Sequence, residues 1–499
     1  MINPTNPISQ QQASPRIKTS IFYINDIHGQ IPKMEQIASA SLQFDTFTKN
    51  KGVDTLKLSS GDTFIGGDEK TNQAAATFLD TIGIMASTLG NHEFDVTATK
   101  LYDIIKNKKT KFLAMNTNFT EKDKLKDNTL RSTIVEENGN KYGLIGLQPV
   151  DLATRTKPEC LNGITTDNEE QTMKELQEEV NNLTKQGVNK IILLSHTGYE
   201  YEKQIAQKIT GIDVILGGHS HDLLEGVKEG TNLFYAPDGK PVVITQAGRD
   251  GHNFGILNLE YSPDGTVVSV QNNVQHTSAY SKNLIMTLIN NKILGESPTI
   301  GRISYADPYP QKPLIEENPY ANFVADAVRK QMDSDIVLIN SANFRGNIEP
   351  GIITERDVTS IFPFKNKLCR VKITEKALVD ALNWGGTSLK TPDNKPNILQ
   401  VSGLTYTLSK EGKVTEASFY DKQGQKHQID VNNPSTTKMY DAVYDDFIIK
   451  GGDKFDMLKF AEGTYQKFDF DKDKATIEYI KKLGGAPFEI KKDGRIKFE

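Results

Sequence analysis

Five short polar segments each follow an apolar run, and together they contain the residue types that bind metal ions. The residues concerned are, in chain order, Asp26, His28, Asp62, Asn91, His92, Asp95, His196, His219 and His221. Carboxylate, imidazole and amide groups without cysteine suit manganese, iron, zinc or magnesium better than a structural thiolate zinc site. The pattern therefore predicts a metal centre that supports catalysis.

The ligand-type residues outnumber what one tetrahedral ion needs. Two divalent ions that share a bridging carboxylate, roughly 3.5–4 Å apart as in two-metal hydrolases, account for the set. Asp26 and Asp62 would be the only anionic ligands, so two ions would leave the site with a net positive charge. Such a site favours a phosphate ester together with a hydroxide.

The polar segments lie where a sheet would gather them. From about residue 17 to 280, short apolar runs such as KTSIFYIN, VDTLKLSS and NKIILLS alternate with longer segments of helical periodicity. This alternation is typical of an α/β domain, in which the loops after the strands meet in one crevice. We therefore expect the five loops to converge on one site.

A chain of 499 residues is too long for one hydrophobic core. The pattern changes after a predicted amphipathic helix, SAYSKNLIMTLINNKILGESP, and the remainder is a mixed α/β segment. We expect four regions: a disordered tail over residues 1–16, an α/β domain over 17–280, a linker helix and hinge over 281–300, and a second domain over 301–490.

Composition argues against several partners. The chain has 59 Lys and Arg residues against 64 Asp and Glu residues, so no global field favours a nucleic-acid polymer or a membrane. Its two cysteines, Cys160 and Cys369, indicate neither a disulfide framework nor a thiolate metal site. No run approaches the roughly 20 apolar residues that span a bilayer. Because the start also lacks the apolar core of a secretory signal, the sequence by itself favours the cytoplasm and leaves the location open.

The ordered motifs resemble a known family. Asp-x-His, Gly-Asp, Gly-Asn-His-Glu, a single His and Gly-His-x-His, in this order, are similar to the calcineurin-like metallophosphoesterase superfamily. With NSANFRGNI, IFPFKN, VSGLTY and GGDKF further along, the chain resembles the two-domain 5'-nucleotidase family from about residue 18 onwards. The resemblance implies an N-terminal metallophosphoesterase β-sandwich flanked by helices and a separate mixed α/β C-terminal domain that binds substrate.

The resemblance also implies two divalent metal ions, of manganese, zinc, cobalt or iron. One ion would be held by Asp26, His28, Asp62 and His221, and the other by Asp62, Asn91, His196 and His219. Several relatives carry glutamine at the position of His221. His92, oriented by Asp95, would stabilise the transition state and assist the leaving oxygen. A hydroxide held by the ions would attack phosphorus and release the 5'-phosphate of a nucleotide.

Nucleotide recognition would belong to the second domain. The positions that match the family's substrate contacts are Asn340, Arg345, Phe364, Asn366, Phe447 and Asp453. The resemblance implies that the two phenylalanines sandwich the base, that Asp453 accepts from the ribose hydroxyls, and that Asn366 contacts the base edge. Asn340 and Arg345 fit an Asn-x4-Arg element that holds polar or phosphate groups. Without the resemblance, both phenylalanines would be assigned to the core.

Two departures leave the exact ester open. Residues 340–345 replace the glycines of the family's Asn-Gly-Gly-Gly-x-Arg loop, and Leu314 stands near the place of an arginine that relatives carry. The alternatives are a 2',3'-cyclic-nucleotide phosphodiesterase, a nucleoside-diphosphate-sugar hydrolase, and a nucleotide-binding module without turnover. His92 and Asp95 argue against the last, because a binding module does not need them. Relatives commonly work outside the cytoplasm, and the sequence leaves the oligomeric state open.

Overall fold

The computed structural model describes residues 16–49, 51–391 and 395–499, so the predicted tail lies outside the described residues apart from Arg16. The chain divides into two compact units, of which the first ends at Leu294 and the second covers Gly295–Glu499. This division falls inside the span 281–300 that the sequence assigns to the linker and hinge.

Within its described residues, the first unit has fifteen strands. In chain order they are β1 (Ile17–Ile24), β2 (Asp54–Ser59), β3 (Ala86–Thr88), β4 (Lys111–Leu113), β5 (Thr117–Asn118), β6 (Thr129–Leu130), β7 (Ser132–Glu137), β8 (Asn140–Leu147), β9 (Thr165–Thr166), β10 (Ile191–Ser195), β11 (Val214–Leu216), β12 (Leu233–Tyr235), β13 (Pro241–Thr245), β14 (Asn253–Tyr261) and β15 (Val267–His276).

Most of these strands form two sheets that pack face to face. The first sheet has the order β15, β14, β1, β2, β3, β4, β6, and the second has the order β12, β13, β11, β10, β8, β7. Apolar side chains from both sheets, among them Tyr23, Leu58, Leu144 and Leu194, form one buried cluster between them. The first unit is therefore a β-sandwich.

Helices cover the outer faces of both sheets. They are α1 (Ile31–Thr48), α2 (Glu69–Ile82), α3 (Ala98–Ile105), α4 (Leu152–Arg155), α5 (Pro158–Leu161), α6 (Glu169–Lys185), α7 (Tyr199–Lys208) and α8 (Leu284–Leu294). Phe44 of α1 and Phe78 of α2 pack on the first sheet. Leu176 of α6 and Ile205 of α7 pack on the second. The helix-flanked sandwich that the family resemblance implies is confirmed.

The direction of the strands explains where the polar segments meet. β1, β2 and β3 run parallel to one another, and so do β8, β10 and β11. Their carboxyl ends therefore open at one edge of each sheet. The hydroxyl of Ser60, just after β2, donates to the carbonyl of Leu216 at the end of β11 at 2.7 Å. This bond joins the same edge of the two sheets.

The second unit has its own strands and helices. The strands are β16 (Thr299–Ala306), β17 (Ile336–Asn340), β18 (Gly351–Thr354), β19 (Lys367–Thr374), β20 (Leu399–Ser402), β21 (Leu404–Leu408), β22 (Val414–Tyr420), β23 (Lys426–Ile429), β24 (Met439–Asp445), β25 (Gln466–Asp471), β26 (Phe488–Ile490) and β27 (Ile496–Phe498). The helices are α9 (Pro319–Met332), α10 (Glu355–Thr359), α11 (Glu375–Gly386), α12 (Asp446–Ile449) and α13 (Lys472–Lys482).

A five-stranded sheet with the order β20, β17, β24, β19, β25 lies at the centre of the second unit. Strand β17 shows why both faces are covered, because side chains alternate along a strand. Ile336 and Leu338 belong to one buried cluster, and Val337 and Ile339 belong to another. The mixed α/β character predicted for this segment is confirmed.

Residues beyond 490, which the sequence analysis left outside the second domain, are part of its structure. Strand β27 pairs with β21, with Ile496 opposite Tyr406. The Arg495 guanidinium contacts both carboxylate oxygens of Asp326 in α9 at 2.8 and 2.9 Å. Within the described residues, no helix combines the length and the hydropathy needed to cross a bilayer.

Candidate active site

The predicted metal ligands follow the carboxyl ends of strands in both sheets. Asp26 and His28 come after β1, Asp62 after β2, His196 after β10, and His219 with its neighbours after β11. The first two loops are joined through their backbones. Asp26 N donates to Gly61 O at 3.0 Å, and His28 N donates to Asp62 O at 2.9 Å. The loops are therefore held together before any side chain is considered.

The same residues have an unusual backbone conformation. The φ angles are 50° at Asp26, 50° at His28, 49° at Asp62, 75° at His219 and 63° at His221. Residues other than glycine rarely adopt this left-handed region, which costs roughly 1–2 kcal/mol per residue. Such backbone strain clusters at functional sites, where the surrounding structure enforces it.

One cluster of ligand-type atoms surrounds Asp26. The Asp26 Oδ1 atom lies 3.3 Å from His221 Nε2 and 3.7 Å from His28 Nε2. His28 Nε2 also lies 3.4 Å from Asp62 Oδ2. Ligand atoms about 2.0–2.2 Å from a tetrahedral ion lie roughly 3.3–3.6 Å from one another. The spacing of this cluster therefore fits a shared cation.

A second cluster begins at the same Asp62 oxygen. Asp62 Oδ2 lies 3.0 Å from His196 Nε2. Asn91 Oδ1 lies 2.9 Å from His219 Nδ1. Because Asp62 is common to the contacts of His28 and His196, it is the carboxylate placed to serve both clusters.

The surroundings of two ring nitrogens show whether these residues could bind a metal ion. His28 Nε2 and His196 Nε2 are buried and, within the described part of the chain, have no hydrogen-bond partner. Buried polar atoms are normally bonded. His196 Nδ1 lies 2.6 Å from the Ser60 carbonyl, which can only accept, so Nδ1 carries the ring proton. In the neutral ring that a metal ligand requires, the lone pair of His196 Nε2 is then directed towards Asp62.

The electrostatics of the cluster favour cations. Burial alone would lower the pKa of His28, yet the hydrogen bond to Asp250 and the contact with Asp62 raise it to about 9. Burial also lowers the pKa of His196, but the negative charges of Asp62 and Asp26 outweigh this effect. The pKa of His196 therefore rises to about 10. The carboxylates therefore create a negative potential at the two ring nitrogens, and a divalent cation would experience the same attraction.

His92 and Asp95 form a pair at the edge of this cluster. Both lie in a short 3₁₀ turn, His92–Asp95. His92 Nδ1 lies 2.8 Å from Asp95 Oδ2, which also accepts from Gly66 N at 2.6 Å. The turn is fixed to the cluster because His92 N donates to Asp62 Oδ1 at 2.8 Å. His92 also groups with His28 and Asp62 within coordination range, and its ring is partly exposed.

Sequence reasoning missed residues that hold the ligands in place. Glu93, inside the GNHEFD motif, accepts from the backbone N–H groups of Asp62 at 3.0 Å, Thr63 at 2.9 Å and Gly90 at 2.6 Å. Asn25 donates to Asp26 Oδ2 at 2.8 Å. The only signal in the sequence for Glu93 is that its carboxylate stands beside ligand-type residues. The sequence gives no signal for Asn25.

In the second unit, the structure brings two pairs of the predicted substrate residues together. Asn340 Nδ2 donates to Asp453 Oδ2 at 2.6 Å. The Arg345 guanidinium lies 5.9 Å from the centre of the Phe364 ring. Asn366 is half-buried directly before β19.

The two predicted base-binding phenylalanines are not core residues. Phe364 is 37% exposed and Phe447 is 41% exposed. The Phe447 ring lies against Gly452, where an added Cβ would come within 2.5 Å of it. The backbone of Asp453 is held in place, since Trp384 Nε1 donates to the Asp453 carbonyl at 2.9 Å. Two aromatic surfaces and a carboxylate are thus open to a ligand in this unit.

The loop that departs from the family's glycine-rich form is an ordinary turn. Ser341–Asn343 form one 3₁₀ turn, and the Asn340 side chain accepts from Ala342 N at 2.9 Å. The flanking φ angles are negative, −63° at Asn340 and −97° at Phe344, so no glycine is required there. Leu314, in the place of the missing arginine, accepts from Ile398 N through its carbonyl at 3.1 Å.

A helix-flanked β-sandwich with an Asp, His and Asn cluster at one strand edge defines the class of metallophosphoesterases. The family model described as calcineurin-like phosphoesterase matches residues 19–223. The model described as the C-terminal domain of 5'-nucleotidase matches residues 299–460. The chain belongs to the two-domain 5'-nucleotidase family, whose members are phosphoric ester hydrolases.

Several relatives match most of this chain. The snake venom 5'-nucleotidase of Naja atra is 25% identical, over 93% of this chain and 96% of that protein. The trifunctional nucleotide phosphoesterase protein YfkN of Bacillus subtilis is 24% identical over 96% of this chain, which spans 35% of the YfkN length. A 5'-nucleotidase precursor from Thermus thermophilus has the same fold, with a TM-score of 0.69, 24% identity, and coverage of 97% of this chain and 99% of that one.

Proposed function

We propose that this chain hydrolyses the 5'-phosphate ester of nucleotides in a reaction that depends on divalent metal ions. The observation that carries the proposal is the pair of buried, unpartnered nitrogens, His28 Nε2 and His196 Nε2, facing Asp62 beside the His92 and Asp95 pair. Several relatives of the full chain are named 5'-nucleotidases, which supports the choice of ester.

The ligand sets are those that the sequence implies. We assign Asp26, His28, Asp62 and His221 to one ion, and Asp62, Asn91, His196 and His219 to a second. Divalent ions held there would supply Lewis-acid stabilisation of the phosphoryl oxygens and would lower the pKa of a water towards neutrality. Manganese, zinc, cobalt and iron all suit this donor set.

His92 would act on the phosphoryl group itself. Asp95 holds the ring through Nδ1, which leaves His92 Nε2 free of that contact, and the side chain is 21% exposed. Hydrolysis forms one bond from water oxygen to phosphorus and breaks the bond from phosphorus to the 5'-oxygen, which takes up a proton as the nucleoside leaves. A hydrogen bond from His92 would stabilise the charge that develops on these oxygens.

The second unit would supply recognition of the nucleoside. Phe364 and Phe447 offer aromatic surfaces on which a base can stack. Asp453 would accept from ribose hydroxyls, and the hydrogen bond from Asn340 holds one of its carboxylate oxygens. We assign Asn366 to the base edge and Arg345 to phosphate or other polar groups of the substrate.

The test is phosphate release from AMP by the metal-free protein supplied separately with Mn²⁺, Zn²⁺ or Co²⁺. We expect at least one ion to support turnover and His92→Ala to lower kcat by about 10²–10³-fold, the usual effect of removing a transition-state donor. KM and metal content should stay unchanged. His427→Ala is the matched control, because His427 contacts Asp421 in the second unit.

Equal rates for His92→Ala and the unaltered chain would contradict the role of His92. Binding of AMP without phosphate release under every metal would instead favour a nucleotide-binding module. The turn Ser341–Asn343, which replaces the family's glycines, supports a second candidate, hydrolysis of a cyclic nucleotide or a nucleoside-diphosphate sugar. Adding 2',3'-cyclic AMP and a nucleoside-diphosphate sugar to the substrate panel separates these activities from 5'-nucleotidase activity.

A further inference from the structure

Asp250 lies on a loop that the motifs do not mark as part of the site. Strand β14 runs antiparallel to β1, with Gly255 opposite Tyr23, so β14 begins at the edge where β1 ends. The loop that precedes β14 therefore lies at the same edge as the loops that follow the parallel strands. Asp250 N donates to the carbonyl of Asp26 at 2.6 Å.

The Asp250 carboxylate has a different partner at each oxygen. Oδ1 lies 2.9 Å from His28 Nδ1, and Oδ2 lies 2.5 Å from Arg249 Nε. The side chains of Asp250 and His28 are 0% exposed, and that of Arg249 is 18% exposed. The contacts at its two oxygens fix the direction of the carboxylate, and the neighbouring Arg249 cation favours its ionised form.

We propose that Asp250 is a positioning residue for His28, which sets the tautomer and the direction of this metal ligand, with Arg249 holding Asp250 in turn. The proposal rests on the metal site of the proposed function. An ionised carboxylate only accepts hydrogen bonds, so His28 Nδ1 keeps a proton, and in the neutral ring that binds a metal the Nε2 lone pair faces Asp26 and Asp62. A carboxylate behind a ligand imidazole also raises its basicity.

In the cluster that contains His196, the group that contacts the histidine Nδ1 is neutral. His196 Nδ1 donates to the backbone carbonyl of Ser60, whereas His28 Nδ1 donates to a carboxylate. The two ligand histidines are therefore supported differently. Removal of the Asp250 charge should weaken metal binding at the cluster that contains His28 and leave the cluster that contains His196 unaffected.

The backbone decides which substitutions are informative. Asp250 has a φ of 55°, and Gly251 beside it has a φ of 64°. Asparagine tolerates this region and glycine adopts it freely, whereas alanine would add strain. Asp250→Asn keeps the shape of the side chain without its charge. Asp250→Gly removes the side chain and keeps the backbone.

The experiment is a calorimetric titration of the metal-free full chain with Zn²⁺ alone. We expect Asp250→Asn and Asp250→Gly to weaken one of two binding events by about 10–100-fold, the usual effect of losing such a partner. The other event should be unchanged. Asp264→Asn is the matched control, because it removes one charge from the opposite end of β14, where Asp264 contacts Ser262 and Thr266.

A second readout follows the ring itself. Nitrogen NMR of the zinc-loaded chain should show a proton on His28 Nδ1 in the unaltered protein, and the Nδ1 signal should shift in Asp250→Gly. A merely structural role would change the melting temperature without changing this signal. If Asp250→Gly does not fold, Asp250→Asn, which retains the side-chain shape, decides the matter by its zinc affinity.

The outcomes separate the two proposals. If the unaltered chain binds zinc and both Asp250 variants bind it equally well, the role of Asp250 is overturned and the proposed function stands. An equal loss in Asp264→Asn would also overturn it, because the effect would then be one of overall charge. If the unaltered chain binds no zinc and no Mn²⁺ or Co²⁺ supports turnover, the proposed metal site itself is wrong.

Discussion

At the scale of single residues, the candidate site combines strained backbone with fixed side chains. Five predicted ligands have left-handed φ angles, at roughly 1–2 kcal/mol each. The total approaches the whole stability of a typical domain, about 5–15 kcal/mol. Bonds between loops, such as His28 N to Asp62 O, offset part of it. The backbone of these loops therefore helps to fix the positions of the donor atoms.

Phe364 allows a test of base recognition by one side chain. Phe364→Ala should weaken the binding of AMP by about 1–3 kcal/mol, because a base–aromatic stack contributes that much. The KM for AMP should therefore rise roughly 5- to 150-fold. Turnover of p-nitrophenyl phosphate, which has no base, should hardly change. Steady-state kinetics with both substrates and the same metal measure the difference.

The control for Phe364 is another exposed phenylalanine of the same unit. Phe498 lies in strand β27 and is not among the residues assigned to the nucleotide. Phe498→Ala should leave both substrates unaffected. An equal loss of activity towards AMP and p-nitrophenyl phosphate in Phe364→Ala would mean that Phe364 supports the fold instead of the base.

At the scale of elements, the loops after β2 and β3 are joined by one buried carboxylate. Each oxygen of Glu93 accepts from two backbone N–H groups: Oε2 from Asp62 and Gly90, and Oε1 from Thr63 and Phe64. These donors would otherwise be buried without partners, which is costly. Glu93 therefore fixes the distance between the loops that carry Asp62 and Asn91.

Glu93→Gln tests this link while keeping the size of the side chain. The amide nitrogen of glutamine would face two N–H donors, so we expect a loss of at least about 2 kcal/mol in the free energy of unfolding. Denaturant unfolding of the metal-free chain measures it. Glu69→Gln, at an exposed helix start, is the control and should change little. Equal stabilities of the two variants would contradict the role of Glu93.

The sequence predicts the elements better than the contacts between them. Asp26, Asp62 and His196 could be placed because apolar runs mark strands, and parallel strands end at one edge. Asp250 could not, because it precedes an antiparallel strand and contacts His28 only after the sheet has formed. The left-handed backbone of the histidines could not be predicted either, because the surrounding loops impose it and no sequence periodicity indicates it.

At the scale of the whole molecule, each unit has its own buried interactions. The first unit contains the candidate metal centre. The second contains an ion pair between Lys472 and Asp445, 2.9 Å long, with side chains 2% and 1% exposed. Breaking a buried pair by removing one partner usually costs about 3–5 kcal/mol. Lys472→Met is therefore a marker for the unfolding transition of the second unit.

Metal removal should separate the two units in a thermal scan. A ligand at 100 times its Kd stabilises the unit that binds it by about 2.7 kcal/mol. In a domain of 150–250 residues this corresponds to roughly 5–10 °C. Because two ions are assigned to the first unit, chelation should lower its transition by at least that amount and leave unchanged the transition that Lys472→Met lowers. Scans with and without Zn²⁺, repeated on Asp62→Asn, measure both. If chelation moved both transitions equally, or still moved the first by the full amount in Asp62→Asn, the bound ions could not be those assigned to Asp62.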